Sequence, residues 1–247
     1  MSSLGRVGIT RPAGRGQHLV AELSGLGLES VEVPLVEIRL IDDVEPLRSA
    51  LATVPPPSLV VLSSASAVPA LLAVIGSAPG IAVAAVGPAT KAALESEGIP
   101  VTVEGDGSGG VALAGIIGPP LAPGDRAVLL AAAGGRHELA ESLVALGWKV
   151  EPIVVYETVA RPPTLSEVEA LGACDVVCFA SPSAVTAFEA LRDSTGAPLH
   201  RHPAAVIGAT TAGAARQAGF VVVVATEATD AALAEAAAAA LRLTHEP

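Results

Sequence analysis

The chain has 247 residues, 51% of them hydrophobic and 16% charged, with a mean hydropathy of +0.59; these values exclude a disordered polymer and suit one large or two modest α/β domains. No apolar run reaches the ~18 residues a membrane span needs, and the start MSSLGRVGIT has no apolar stretch behind a basic one, so the expectation is a cytoplasmic protein. Fourteen Lys and Arg against 25 Asp and Glu leave a net charge of −11 with no basic cluster, which argues against nucleic acid as a partner.

In chain order, an apolar strand is expected over Val7–Ile9, closed by the turn Thr10-Arg11-Pro12, with a helix from about Ala13. Strands over Val31–Val33 and Leu59–Leu62 follow, the latter running into Ser63-Ser64-Ala65-Ser66. Further along come Gly87-Pro88-Ala89-Thr90, Ala133-Gly134-Gly135, Ser181-Pro182-Ser183 and Gly208-Ala209-Thr210-Thr211, each a small-residue turn between an apolar run and a helical pattern. This alternation is the grammar of βαβ units and parallel sheets. Cys174 and Cys178 lie in a stretch that reads as a strand, where they would point the same way about 13 Å apart, too far to bridge. Scattered histidines offer no metal-ligand spacing, so neither metal nor disulfide is expected.

The chain also repeats itself. Leu59–Val68 recurs as Val176–Val185, and Ala85–Val101 recurs as Val206–Val222, matching Gly87 with Gly208, Thr90 with Thr211 and Gly98 with Gly219. Gly14–Pro34 recurs as Gly134–Pro152, matching Gly27 with Gly147. Two copies of a βαβ frame imply two doubly wound lobes with a cleft between them, and ligands of such folds sit beyond the strand C-termini, where the six turns lie.

A strand-to-helix turn of Gly, Ser and Thr presents unsatisfied helical N–H groups to an anion, although any one Ser or Thr there can equally cap its own helix. It is the number of turns that points to a ligand with several carboxylates or phosphates. None matches a dinucleotide or nucleoside triphosphate fingerprint, which discounts NAD and ATP. Ser63, Ser64, Ser181 and Ser183 lack a nucleophile elbow, so a hydrolase is not indicated. Asp42-Asp43 and Glu95–Glu97 read as solvated surface charge. Tyr156, in V-V-Y-E-T, is the only tyrosine and stands at the end of a strand leading out of one repeat, in a packing role or at the site. Arg11, Lys91 and Arg136 adjoin candidate turns as supplementary charge or as surface cations.

The ordered set T-R-P (Thr10–Pro12), S-S-A-S-A-V (Ser63–Val68), V-G-P-A-T (Val86–Thr90), V-Y-E-T (Val155–Thr158), S-P-S-A-V (Ser181–Val185) and I-G-A-T-T-A (Ile207–Ala212) resembles the uroporphyrinogen-III synthase family across essentially the whole chain. Where that family often shows T-S-x-x-A-V, this chain has Ser63, which keeps the hydroxyl. The resemblance implies an α/β fold of two flavodoxin-like lobes with parallel sheets joined by a two-stranded linker. Residues 1–37 plus 157–247 would form one lobe and 38–156 the other. It implies cyclisation of hydroxymethylbilane, a linear tetrapyrrole with eight carboxylates, to uroporphyrinogen III with inversion of ring D and loss of water, by a monomer without a cofactor. On that reading Tyr156 assists departure of the hydroxyl. The carboxylates fall to Thr10, Arg11, Ser63, Ser64, Gly87, Thr90, Gly134, Gly135, Ser181, Ser183, Gly208, Thr210 and Thr211. The rival readings are a two-lobed binding protein or sensor for a small polyanion and, more weakly, a flavin- or nucleotide-binding protein.

Overall fold

The computed structural model describes residues 5–75, 80–135, 137–195 and 202–244. Strand β1 (Arg6–Ile9) leads through a turn, closed by the Arg15 N–H on the Pro12 carbonyl, into helix α1 (Gln17–Gly25). That turn is why the helix begins later than Ala13. Strand β2 is Glu29–Glu32, and the Val33 N–H on the Ile9 carbonyl at 2.9 Å and the Leu35 N–H on the Thr10 carbonyl at 3.3 Å carry its pairing with β1 past Pro34. Next come β3 (Val36–Leu40), α2 (Glu45–Leu51), β4 (Leu59–Leu62), a 3-10 turn at Ala65–Ala67, α3 (Val68–Ile75), β5 (Ala82–Ala85), α4 (Pro88–Ser96), β6 (Val103–Glu104) and α5 (Gly110–Ile117). The chain continues through β7 (Arg126–Ala132), α6 (Glu138–Ala145), β8 (Lys149–Ala160), α7 (Leu165–Gly172), β9 (Val176–Phe179), α8 (Pro182–Thr195), β10 (Ala204–Val206), α9 (Ala209–Gln217), β11 (Val222–Val224) and α10 (Asp230–Thr244).

These elements divide into two compact units, Met1–Glu37 with Val159–Pro247, and Ile38–Thr158. The first unit holds a five-stranded parallel sheet in the order β11-β10-β9-β1-β2. Successive side chains of β9 serve opposite faces, as a sheet covered on both sides requires. Val177 and Phe179 join α7, α8 and α9 in one core, while Val176 and Cys178 join α1 and α10 in the other. In the first core Phe179, Phe188 and Phe220 meet edge to face with ring centroids 5.3 to 5.8 Å apart, so truncating buried Phe188 to Ala costs about 3–5 kcal/mol. Cys174 is not on a strand. It follows α7 and donates its thiol to the Ala170 carbonyl at 3.3 Å, because the helix runs to Gly172 and β9 begins only at Val176. Both cysteines are buried free thiols.

The second unit has a six-stranded sheet in the order β3-β8-β7-β4-β5-β6. Its five strands from β8 to β6 are parallel. Along β3 the hydrogen bonds ascend from Leu35 to Ile41 while their partners descend from Arg161 to Val155, an antiparallel pairing. Val60, Leu62, Val128 and Leu130 pack under α2, α3 and α4; Leu59, Val61, Ala127 and Leu129 pack under α5 and α6. The internal repeat is structural: β7-α6-β8 reproduces β1-α1-β2, with Leu139 and Leu143 buried as Leu19 and Leu23 are. Both helices end on a left-handed glycine, Gly27 at φ 76° and Gly147 at φ 101°, whose following N–H groups return to Leu23 and Leu143.

Candidate functional site

The order of the second sheet reverses between β4 and β7: the chain steps outward from β4 to β5 and β6, then returns to the other side of β4. At such a switch point the two following loops part and leave a crevice beyond the strand ends. A cavity of about 330 Å³ occupies this place in the second unit. Its floor is Leu129 and Leu139, and its walls are Ser63 after β4, Val86 after β5, Ala131 and Ala132 of β7, Gly135, Glu138, and the Gly107–Gly110 loop that opens α5. Gly110 is required by packing, since a Cβ there would stand 2.7 Å from the Cβ of Leu139. Asp106 shapes the same loop by accepting from the Ser108 N–H at 2.9 Å and its hydroxyl at 2.5 Å, which holds the Asp106 carboxyl below its ordinary value.

Tyr156 lines the cavity and lies at a bulge in β8. The register passes from Ala131 opposite Val154 to Ala132 opposite Tyr156, so Val155 is the extra residue. The consequence is that Val155 and Tyr156, though consecutive, are both buried, at 3% and 8% exposure. The Ala133 N–H donates to the Tyr156 carbonyl at 2.8 Å and fixes the strand just past the bulge. Ser63 donates its hydroxyl to the Leu130 carbonyl at 3.4 Å across the switch point. Chemically the lining offers one phenol, one hydroxyl, one carboxylate and the backbone of small-residue loops. No nucleophile–base pair is present in that set, and among the described residues no group of three or more His, Cys, Asp or Glu is placed to hold a metal ion.

Of the sequence-predicted residues, Ser63, Gly135 and Tyr156 line this cavity. Their neighbours Ser64 and Gly134 do not: Ser64 accepts from the Ser66 N–H at 3.1 Å, capping the 3-10 turn, and Gly134 is exposed. Gly87 opens α4 with an extended backbone, and Thr90 in its first turn is 3% exposed. Gly208 and Thr211 repeat that arrangement at α9 in the first unit, Thr211 again at 3%, with Thr210 exposed. At the switch point of the first unit, between β1 and β9, Thr10 is fully buried and donates to the Cys178 carbonyl at 2.8 Å. Arg11 beside it pairs with Asp230 at 2.6 Å, its Nε buried without a partner. Ser181 shares a hydrogen bond with Ser183 at 2.9 Å and accepts from the Ala184 N–H at 3.3 Å, capping α8. Lys91 is paired with Glu104 at 2.7 Å, which raises its pKa. Arg136 lies outside the described residues.

Sequence reasoning missed Glu138 and the loop Gly107–Gly110. The loop carried a signal, four glycines in G-D-G-S-G-G (Gly105–Gly110) after an apolar run. It matches no named phosphate-binding pattern, so the signal points to no particular ligand.

Comparison with known proteins bears on the whole chain. Residues 17–235 match the family model described as "Uroporphyrinogen-III synthase HemD". The fold is similar to that of uroporphyrinogen-III synthetase from Helicobacter pylori 26695, at 21% identity over 95% of this chain and 99% of that one, with a TM-score of 0.64. It is similar too to a mutant uroporphyrinogen III synthase from the extremely thermophilic bacterium Thermus thermophilus, at 22% identity over 97% and 99%, with a TM-score of 0.56. No curated protein sequence matches the chain significantly. Among the described residues, no helix is long and apolar enough to cross a membrane.

Proposed function

The chain belongs to the uroporphyrinogen-III synthase family, and from that premise we propose how it closes hydroxymethylbilane to uroporphyrinogen III, as a lyase without a cofactor. The observation that carries the reading is the family match over residues 17–235, joined to a lone tyrosine that lines a crevice at a sheet switch point. We assign the protein to the cytoplasm and to a monomeric state on the same premise.

In this mechanism Tyr156 gives its phenolic proton to the hydroxyl of the substrate as the carbon–oxygen bond breaks, and water leaves. The ring left behind is an azafulvenium cation. The substituted α-carbon of ring D attacks that methylene carbon and forms a spiro centre. Cleavage of the bond from ring D to its old methylene bridge moves the cation to ring C, and the other α-carbon of ring D closes on it. Loss of the proton from that carbon restores the aromatic ring and returns a proton to the phenolate. Because the cation also closes unaided to the type I isomer, catalysis here consists chiefly of holding the chain in the folded shape that favours the spiro attack.

Helix N-termini in each unit are assigned to the carboxylates, with Gly87 and Thr90 at α4, Ser181 and Ser183 at α8, and Gly208, Thr210 and Thr211 at α9 supplying backbone and hydroxyl donors. Thr10 and Arg11 support that role indirectly, since their side chains are engaged with Cys178 and Asp230. Such short-range donors act against a net charge of −11, whose distant members are screened beyond a Debye length of about 10 Å at 0.1 M salt. The test is the isomer composition of the product formed from hydroxymethylbilane.

A further inference from the structure

We propose that Gly87 and Asp106 are positioning residues that set the product isomer: together they seat the loop Gly105–Gly110, the cavity wall that keeps the free α-carbon of ring D from closing first. This rests on the function given above and deepens it, naming the part of the chain that holds the substrate in the spiro-forming shape.

Two stretches of backbone touch here with no side chain between them. A Cβ on Gly87 would stand 2.7 Å from the Gly107 Cα and 2.9 Å from its nitrogen, and a Cβ on Gly105 would stand 2.4 Å from the Val86 carbonyl oxygen. Gly87 has a φ of −179°, which any residue adopts, so close approach and not conformation requires the glycine. The contact is pinned by the Gly105 N–H on the Ala85 carbonyl at 2.8 Å and the Gly107 N–H on the Val86 carbonyl at 3.0 Å. Past Gly107, at φ 85°, the Asp106 carboxylate takes both the N–H and the hydroxyl of Ser108 and leads the chain into Gly109 and Gly110. Val86, Gly107, Gly109 and Gly110 line the cavity, whereas Gly87 and Asp106 stand behind them. Their effect on the cavity is therefore exerted through the loop.

The internal repeat shows that the frame itself does not need this contact. Gly208 opens α9 as Gly87 opens α4, again extended at φ −179°, and among the described residues a Cβ there meets nothing within 4 Å beyond its chain neighbours. After β11 the Ala225 N–H reaches the Val206 carbonyl at 2.9 Å, the counterpart of the Gly105 bond, and the residue there is alanine. The close backbone seat is found at the turn beside the cavity and not at its counterpart.

A fixed wall matters because the azafulvenium cation has two fates. Attack by the substituted α-carbon of ring D gives the spiro centre, while attack by the free α-carbon, followed by loss of its proton, gives the type I macrocycle directly. A displacement of about 1 Å is enough to cost ~10²-fold in a reaction governed by positioning. A methyl group on Gly87 forces a shift of about that size, since 2.7 Å must open to the ~3.5–4.0 Å of ordinary carbon–carbon contact.

The experiment is isomer analysis of the product from freshly prepared hydroxymethylbilane at rising concentrations of the parent, Gly87→Ala, Asp106→Ala and Asp106→Asn. A variant that has merely lost folded enzyme yields type I only from free substrate, and more protein removes it. With the wall displaced, type I forms on the enzyme, and its share levels off at a value that more protein does not lower. That plateau is expected for Gly87→Ala and Asp106→Ala, with kcat/KM for type III lower by up to about a hundredfold. Gly87→Ala keeps its backbone N–H, so its effect is not the loss of a donor. Asp106→Asn, whose amide oxygen accepts the same two bonds, should stay near the parent. Because Asp106 is exposed, Asp106→Ala decides the matter even where Gly87→Ala fails to fold. Type I that vanishes from Asp106→Ala as the protein is raised would overturn the proposal, and so would equal plateaus in Asp106→Ala and Asp106→Asn, which would assign the effect to charge. A parent enzyme that forms no type III product would instead defeat the function itself.

Discussion

Tyr156 stands opposite Ala132 across the bulge in the β7–β8 ladder, one residue out of the register that Ala131 and Val154 keep. Without the extra residue Val155, strand alternation would send the phenol to the opposite face of the sheet from the one it now occupies. The bulge therefore sets the only tyrosine of the chain beside Val155 on the face covered by α2, α3 and α4, at the edge of a cavity whose floor, Leu129 and Leu139, belongs to the other face.

Tyr156→Phe keeps the ring packed and removes the proton donor. Turnover should fall by an amount at or below the lower end of the ~10²–10⁴-fold typical of general acid assistance, because the hydroxyl also departs unaided. The thermal midpoint should hardly move, and the product should remain type III. Parent-like turnover in a destabilised Tyr156→Phe would return the residue to packing alone.

Anion binding shared among many turns makes each hydroxyl dispensable. Thr90→Ala, Thr211→Ala and Ser181→Ala should each weaken activity by about 0.5–1.5 kcal/mol, roughly two- to tenfold, without abolishing it. Ser181→Ala should also lower stability, by about 0.5–2 kcal/mol, through the lost cap on α8. Complete inactivity of one well-folded variant would contradict shared binding.

The thiols are buried, and burial pushes Cys174 up to about 11 and Cys178 up to about 12. Native protein at pH 8 should leave both unlabelled by a thiol reagent until it unfolds. A raised folded pKa means that this stabilisation is complete below the ordinary thiol value and is lost as pH rises towards the folded one. Thermal midpoints should thus fall more steeply above pH 9 in the parent than in Cys178→Ala. Rapid labelling of the native state would show that Cys174 or Cys178 is accessible.

Helix α7 begins with a capping box in which Thr164 accepts from the Glu167 N–H at 3.3 Å and Glu167 accepts from the Thr164 N–H at 2.7 Å. The Thr164 N–H, followed by the Arg161 guanidinium, holds the Glu167 carboxyl below its usual range. Its contribution to stability is present above that range and disappears as pH falls through the depressed value. Glu167→Gln, which removes the charge, should cost about 1 kcal/mol at pH 7 and less at pH 3, read from urea unfolding at the two pH values. An equal cost at both would mean that the acid takes no part in the cap.

The repeat and its parallel sheets were legible because buried strands are continuous apolar runs bounded by small-residue turns, as Leu59–Leu62 and Val176–Phe179 are. Cys174 misled because an apolar approach to a strand looks like the strand itself. The bulge at Val155 left no trace, since V-V-Y reads as strand in either register. Glu138 was hidden for a different reason: an acid at the start of a helix already has an explanation in the helix dipole. The ion pair of Arg11 with Asp230 joins residues at opposite ends of the chain, which no local pattern reports.

The central claim is that this protein dictates which way the tetrapyrrole closes, and one measurement addresses it most directly. Freshly prepared hydroxymethylbilane is incubated with and without the protein, the products are oxidised, and the porphyrin isomers are separated. The account predicts that type III predominates with the protein and type I without it. The same isomer ratio in both samples would contradict it.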